Sequence, residues 1–234
     1  MRVADGTTTG MRVAGPEDFE HLADVLVRAF CEDPFHRWLF PDDRRRARRQ
    51  RRLFERVLAI YARHGVVYTS EDRSGVALWD PPRSGGPSLL ETLEFLVRIL
   101  PVFGLRASKV AEGMAPLAAL HPRRPHWYLS LLATDPERQR RGVGTSLMMP
   151  ILGRCDDEDT PACLEASRYE NVAWYERFGF EVVTSLPMPS GPSVYRMMRN
   201  PVAKVRASKP PISVNPATPV AGRRSHERGH EDGR

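Results

Sequence analysis

The chain has 234 residues, 41% hydrophobic and 27% charged, which suits one globular domain with an extension rather than two full domains. Its longest apolar stretch, Phe95 to Leu105, is about half a membrane span and is interrupted by Arg98 and Pro101, so no transmembrane helix is expected. The formal charge of +6 is concentrated at one end: residues 200–234 carry seven Lys or Arg against three Asp or Glu, so a nucleic-acid partner is not expected for the near-neutral remainder.

Residues 1–10 are polar and hold no apolar signal region, and the tetrapeptide Met-Arg-Val-Ala at 1–4 recurs at 11–14. The second copy is expected to open the fold, leaving 1–10 as a flexible extension. A strand is predicted at Met11–Ala14 and a helix at Pro16–Phe30, where Phe19, Leu22, Ala23, Leu26 and Phe30 share one face. The next helix, Asp43–His64, carries Leu53, Val57, Ile60 and Tyr61 on one side and eight arginines between Arg44 and Arg56. That basic run reads as a solvated face or as a contact for an anion or nucleic acid. Strands follow at Val66–Ser70 and Val76–Asp80, then a turn-rich stretch, Pro81 to Pro87, and apolar helices at Ser88–Phe103 and Leu105–Leu120.

Strands at Trp127–Thr134, Ala162–Ala166, Phe180–Leu186 and Val194–Met198 alternate with helical segments, which favours an α/β fold with a partly parallel sheet. Residues 200–234 hold five prolines and no aromatic side chain, a composition expected to stay disordered. The domain is therefore expected to span 11–199. Cys31, Cys155 and Cys163 are odd in number and lack C-x-x-C spacing, so neither a disulfide framework nor a zinc site is expected, and a cytoplasmic location fits.

The chemistry concentrates at Leu129–Thr145, LSLLATDPERQRRGVGT. An apolar strand ends at Thr134, and Gln139-Arg140-Arg141-Gly142-Val143-Gly144 leads into a helix starting near Thr145. Glycine lets backbone approach a ligand, and the free N–H groups of a helix start favour phosphate oxygens. A Walker loop would need a lysine, and none lies between Leu129 and Ala203. A dinucleotide fingerprint would need a third glycine where Leu147 stands. What remains is Q-x-x-G-x-G. Some thirty residues on, Leu164-Glu165-Ala166-Ser167 is followed by Asn171-Val172-Ala173-Trp174-Tyr175-Glu176-Arg177-Phe178-Gly179-Phe180, a short helix with Asn171 placed as N-cap and Gly179 as stop.

These two motifs, in this order and at this spacing, resemble the GCN5-related N-acetyltransferase (GNAT) superfamily. The stretches HPRRPHWYL and LEAS resemble its puromycin N-acetyltransferase branch, while the first half of the chain matches only in layout. The resemblance implies an α/β (α+β) fold: a mixed twisted sheet of about seven strands flanked by helices and splayed between the fourth and fifth. It implies acetyl-CoA as cosubstrate, with no metal. The backbone of Leu132, Ala133 and Thr134 would pair with the pantetheine arm. The amides of Gln139, Arg140, Arg141, Gly142, Val143, Gly144 and Thr145 would hold the pyrophosphate, and Asn171 would contact the cofactor near the thioester. Tyr175 occupies the position of the proton donor to the departing thiolate. The fourth strand has no carboxylate, which leaves Glu165 on the fifth, as a base or as a buried structural group.

The activity so implied is N-acetylation of a primary amine on a small molecule, such as an antibiotic or other xenobiotic, by direct attack in a ternary complex. The partners would be that amine and acetyl-CoA, with no membrane, and the protein a monomer or homodimer. Two alternatives stay open: a non-catalytic acyl-CoA-binding regulatory module, or an acetyltransferase of protein N-termini or lysines. The zinc-protease pattern His226-Glu227-Arg228-Gly229-His230 lies in the proline- and glycine-rich tail, where a metal-binding helix is not expected. Trp38, Trp79 and Trp127 read as core residues or as stacking platforms for an aromatic substrate.

Overall fold

The computed structural model describes residues 10–83 and 89–202. The expected extension at 1–10 (apart from Gly10), all but the first residues of the 200–234 tail, the 226–230 pattern and much of the turn before residue 88 lie outside the described residues.

Seven strands form one sheet: β1 (Met11–Val13), β2 (Val66–Ser70), β3 (Gly75–Asp80), β4 (Trp127–Thr134), β5 (Ala162–Ala166), β6 (Glu181–Pro187) and β7 (Ser193–Arg199). Their spatial order is β1-β2-β3-β4-β5-β7-β6, antiparallel throughout except for the parallel pair β4–β5. Every expected strand is present, with ends displaced by no more than one residue.

The helices are α1 (Phe19–Phe30), α2 (Pro34–Leu39), α3 (Asp43–His64), α4 (Leu89–Phe103), α5 (Ala107–Ala119), α6 (Val143–Asp157) and α7 (Tyr169–Glu176). Short 3₁₀ turns at Pro16–Asp18 and Gly104–Arg106 lead into α1 and α5, where single continuous helices are expected from the sequence. Buried Asp18 anchors the first: it accepts from Gly15 N at 3.0 Å and pairs with Arg12 of β1 at 2.7 Å. Helix α6 starts two residues earlier than expected, at Val143, and runs to Asp157. Helix α2 has no counterpart in the sequence reading. Asp33 caps it by accepting from the amides of Phe35 and His36, both at 3.0 Å, and Pro34 occupies its first turn.

The sheet divides the apolar interior in two. Helices α1, α3, α4 and α5 cover one face, and α6 and α7 cover the other. Strand β3 shows the alternation: Val76 and Leu78 point to the first core, Ala77 and Trp79 to the second. Strand β4 breaks it. Trp79 pairs with Leu129 and Leu78 with Leu131, so Ser130 is an extra residue in the ladder. Trp127 and Leu129 thus face the α6 side, whereas Leu131 and Ala133 face the α1 side. One inserted residue swaps every later side chain across the sheet.

The basic run on α3 is drawn partly into the fold. Arg46 is buried and donates to Phe40 O at 2.8 Å, and Arg51 meets Glu20, Asp24 and Glu55 at 2.9–3.1 Å. No helix among the described residues is long and apolar enough to cross a membrane.

Candidate active site

Strands β4 and β5 pair only through Trp127–Ala162, Tyr128–Cys163 and Leu129–Leu164. Beyond that point β4 continues to Thr134 with β3 beside it, so among the described residues the edge of Ser130–Thr134 that would face β5 has no strand neighbour. This is the expected splay, and the bulge at Ser130 sits at its apex. A cavity of about 650 Å³ opens there, lined by Leu129–Leu132 of β4, Glu165 and Ala166 of β5, Asn171 and Tyr175 of α7, and apolar side chains of α1, α3, α4 and α5.

Four of the expected site residues, Leu132, Glu165, Asn171 and Tyr175, thus line one space. Ala133 does not point into it; its side chain is buried in the α1-side core. Asn171 is not the helix cap. The chain stays extended through Arg168 (φ −125°, ψ 134°), which holds the N-cap position, and α7 begins at Tyr169. Ser167 is held by its hydroxyl on Asp33, which fixes the link one turn earlier than the sequence suggests. Asn171 therefore sits inside the first turn, exposed, on the cavity rim. Gly179 stops the segment as expected, in the left-handed region at φ +84°.

The loop expected to hold pyrophosphate follows Thr134. Asp135 caps its 3₁₀ turn, and the Gln139 side-chain Nε2 donates to Thr134 O at 3.3 Å. Gly142 is the N-cap of α6 in the left-handed conformation (φ +86°), and no side chain caps the first turn. A Cβ built on Gly142 would meet nothing within 4 Å, so the space beside this glycine is open. This is the cradle an anion needs, and it fits a pyrophosphate. The Val143 side chain is buried in the α6-side core, so its contribution is its amide. Gly144 has an ordinary φ, and its Cβ would lie 3.4 Å from the Trp174 ring. Gly144→Val is expected to weaken acetyl-CoA binding at least tenfold, because added methyls push against Trp174 and the first-turn amides. Calorimetric titration of acetyl-CoA reads this; undiminished affinity would remove the loop from the site.

Glu165 is embedded rather than free. One carboxylate oxygen accepts from the Tyr128 hydroxyl, and the other meets Arg196 of β7, with Nε at 2.8 Å and Nη2 at 2.6 Å. Arg196 is buried and also donates to Leu117 O at 2.7 Å, tying β7 and β5 to α5. His121 lies beside this group, 5.0 Å from the Tyr128 ring and 4.8 Å from His126. Burial and the neighbouring His126 push the His121 imidazole below its ordinary value. Burial raises the Tyr128 and Tyr175 phenols, so both stay protonated at neutral pH. The sequence reading missed Tyr128, His121 and Arg196. Tyr128 lies two strand positions before the bulge, and no local pattern reports that β7 delivers an arginine to β5.

His36 lines the far wall, stacked on Phe30 at 4.6 Å. Burial holds its imidazole down to about 4, against a partial opposing pull from Asp33. The folded value lies below the unfolded one, near 6.5, so the unfolded chain takes up this proton first as pH falls. The contribution is complete above about pH 6.5 and declines as pH falls from there toward 4. Urea unfolding at pH 7 and pH 4.5 is expected to show this, and His36→Leu to lessen the slope. An identical slope in the variant would assign it elsewhere.

Trp79 and Trp127 are core residues, with rings 6.4 Å apart and both almost fully buried. Trp38 is also buried, its indole N–H donating to Pro189 O at 2.9 Å, so none of the three lines the cavity. Cys155 and Cys163 are buried thiols pushed up to about 12 by burial. Among the described residues no cluster could hold a metal ion.

The comparisons with known proteins agree with this geometry. The family model of the acetyltransferase (GNAT) domain matches residues 104–198. An uncharacterised N-acetyltransferase of Schizosaccharomyces pombe is 28% identical over 184 residues, which is 70% of this chain and 71% of that protein. A solved structure from Corynebacterium glutamicum, named as histone acetyltransferase HPA2 and related acetyltransferase, is 28% identical with a TM-score of 0.65, covering 84% of this chain and 98% of that one. Arylalkylamine N-acetyltransferase 2 of Aedes aegypti shares the fold, with a TM-score of 0.54 at 14% identity over 81% of this chain and 97% of that one.

Proposed function

Because the chain belongs to the GCN5-related N-acetyltransferase superfamily and is an acyltransferase of that type, we propose that it moves the acetyl group of acetyl-CoA to a primary amine of a small molecule, by direct attack with both substrates bound. The observation that carries this reading is the separation of β4 from β5 past Leu129–Leu164, with a cavity leading from that gap to Tyr175. The HPRRPHWYL and LEAS stretches support a place in the puromycin N-acetyltransferase branch. The two buried free thiols, Cys155 and Cys163, suit a reducing compartment such as the cytoplasm.

Acetyl-CoA, when bound, supplies the thioester carbonyl and the thiol leaving group. The amides of Gln139–Thr145 hold its pyrophosphate, and the open edge of Leu132–Thr134 takes its arm. A backbone N–H on that edge would be available to donate to the thioester carbonyl oxygen and stabilise the charge that develops there. Asn171 lies on the rim where the arm enters. Tyr175 supplies a proton to the departing sulfur.

The amine must shed a proton before it attacks. Glu165 is the acceptor in this proposal, reached through the Tyr128 hydroxyl, which takes the amine proton as it passes its own to the carboxylate. Glu165→Gln is expected to lower kcat/KM most at pH below the amine's pKa, by about 10²-fold. Tyr128→Phe should reproduce that profile. An unchanged pH–rate curve in both variants would leave Glu165 a structural partner of Arg196.

Release of free CoA thiol with a panel of amines tests the function. Amine-dependent release supports transfer to a small molecule. Acetyl-CoA binding without release under any amine or peptide would favour a regulatory module, and release with peptides alone a protein substrate.

A further inference from the structure

The cavity is larger than the transfer chemistry requires. Protein interiors hold few voids larger than a water molecule, so an opening of about 650 Å³ is not a packing defect and falls in the range of ligand sites. Most of its wall is hydrocarbon and aromatic ring, with Phe30, Phe54, Ile99 and Phe103 among the lining side chains.

Its charge is equally informative. Among the described lining residues only Glu165 and Arg196 carry formal charges, and they neutralise each other at 2.6 Å. The lining histidines, His36 and His121, are held neutral at pH 7 by burial. No lining group is left to receive a second cation, and an unpaired ion in such surroundings costs several kcal/mol. Nor is the apolar wall sealed. Phe95, Leu96 and Met114 line the cavity and are also 43%, 40% and 38% exposed, so the apolar surface runs continuously from the polar end out between α4 and α5.

We propose that this cavity is the acceptor subsite and that it takes a lipophilic monoamine, a single amine on an alkyl or arylalkyl body that extends toward the α4–α5 mouth. The proposal rests on the transfer reading above and adds the class of acceptor. The amine end lies at Tyr128 and Glu165, within the splay. The body lies along Ile99 and Phe103, and a long one emerges past Phe95 and Met114. Polyamines and aminosugars, with several positive charges, are excluded by the same wall.

The test is a homologous series. Linear alkylamines from propyl to octyl, with benzylamine through 4-phenylbutylamine, are assayed by CoA thiol release beside spermidine, kanamycin and a short free-amine peptide. Burial of one methylene contributes about 0.8 kcal/mol, so kcat/KM is expected to rise about fourfold per methylene until the cavity is full. Octylamine should exceed spermidine at least 100-fold. A flat series, or a polycation or peptide as the best acceptor, overturns the proposal. Met114→Glu at the mouth should lower the octylamine value at least tenfold and raise that of 1,8-diaminooctane. An unchanged ranking also counts against it. If no amine in the panel releases thiol, the transfer reading fails by itself. Calorimetric titration of the alkylamines into the protein then judges the subsite: affinity that climbs about fourfold per methylene upholds it, and absence of binding overturns it.

Discussion

Tyr175→Phe is expected to lower kcat about 10²-fold while leaving the Michaelis constant for acetyl-CoA nearly unchanged. General acid catalysis contributes about 10²–10⁴-fold, and a thiolate, with a thiol pKa of about 8.5 in cysteine, is a tolerable leaving group, which places the loss at the lower end. The ring stays. It packs edge-on against Trp174 at 5.0 Å and Phe180 at 6.0 Å, and phenylalanine keeps both contacts. Only the hydroxyl of this cavity-lining residue is removed, so the expected effect belongs to the transition state. Because burial raises this phenol above its ordinary value, it remains a proton donor across the working range, and the ratio of wild-type to variant rates should not vary between pH 6 and 9. Steady-state and single-turnover rates read the outcome. A variant that keeps more than half of the wild-type rate with chemistry limiting would relieve Tyr175 of the role.

Arg196→Met is expected to cost about 3–5 kcal/mol of stability, because it strands the Glu165 carboxylate in the interior without its cation. The same change releases the bond to Leu117 O that ties α5 to the sheet. For a domain of this size the melting temperature should fall by about 10 °C or more. The double variant Arg196→Met, Glu165→Gln removes both charges and should recover much of the loss, since replacing both members of a buried pair is far cheaper than orphaning one. Denaturant unfolding of the three proteins decides it. A single variant within 1 kcal/mol of wild type would mean that Glu165 finds another partner or water, and the rigid polar end described above would not exist.

Local periodicity made most elements readable. Strand β4 and helix α3 span the residues their apolar spacing predicts, because each buries a face whose period is set by its own backbone. The glycine turn that opens α6 was equally legible, since Gly142 and the uncapped first turn that follows it are local in sequence. Helix α2 was missed although Asp33-Pro34 carries a cap and a first-turn proline; six residues are too few to show a helical period. The bulge at Ser130 leaves no mark in a largely apolar run whose residues on either side of it, Leu129 and Leu131, are both leucine. Most of all, the cavity could not be read. Phe54, Ile99 and Phe103 stand at core spacing, and spacing does not distinguish a side chain that packs on protein from one that waits for a ligand.

The unmatched edge of Ser130–Thr134 has a consequence for how such a chain can diverge. Its N–H and C=O groups are supplied by whichever residues occupy those positions, proline excepted. In the reading proposed above, recognition of the donor there would be indifferent to side-chain identity, whereas preference for the acceptor would be written in the side chains that line the cavity, most of them borne by the helices. Substitutions can therefore accumulate on the helical side and retarget the enzyme without renegotiating its acyl source. The two halves of the reaction are inherited in different chemical media, one in the peptide unit and the other in the residue, and they are free to change at different speeds.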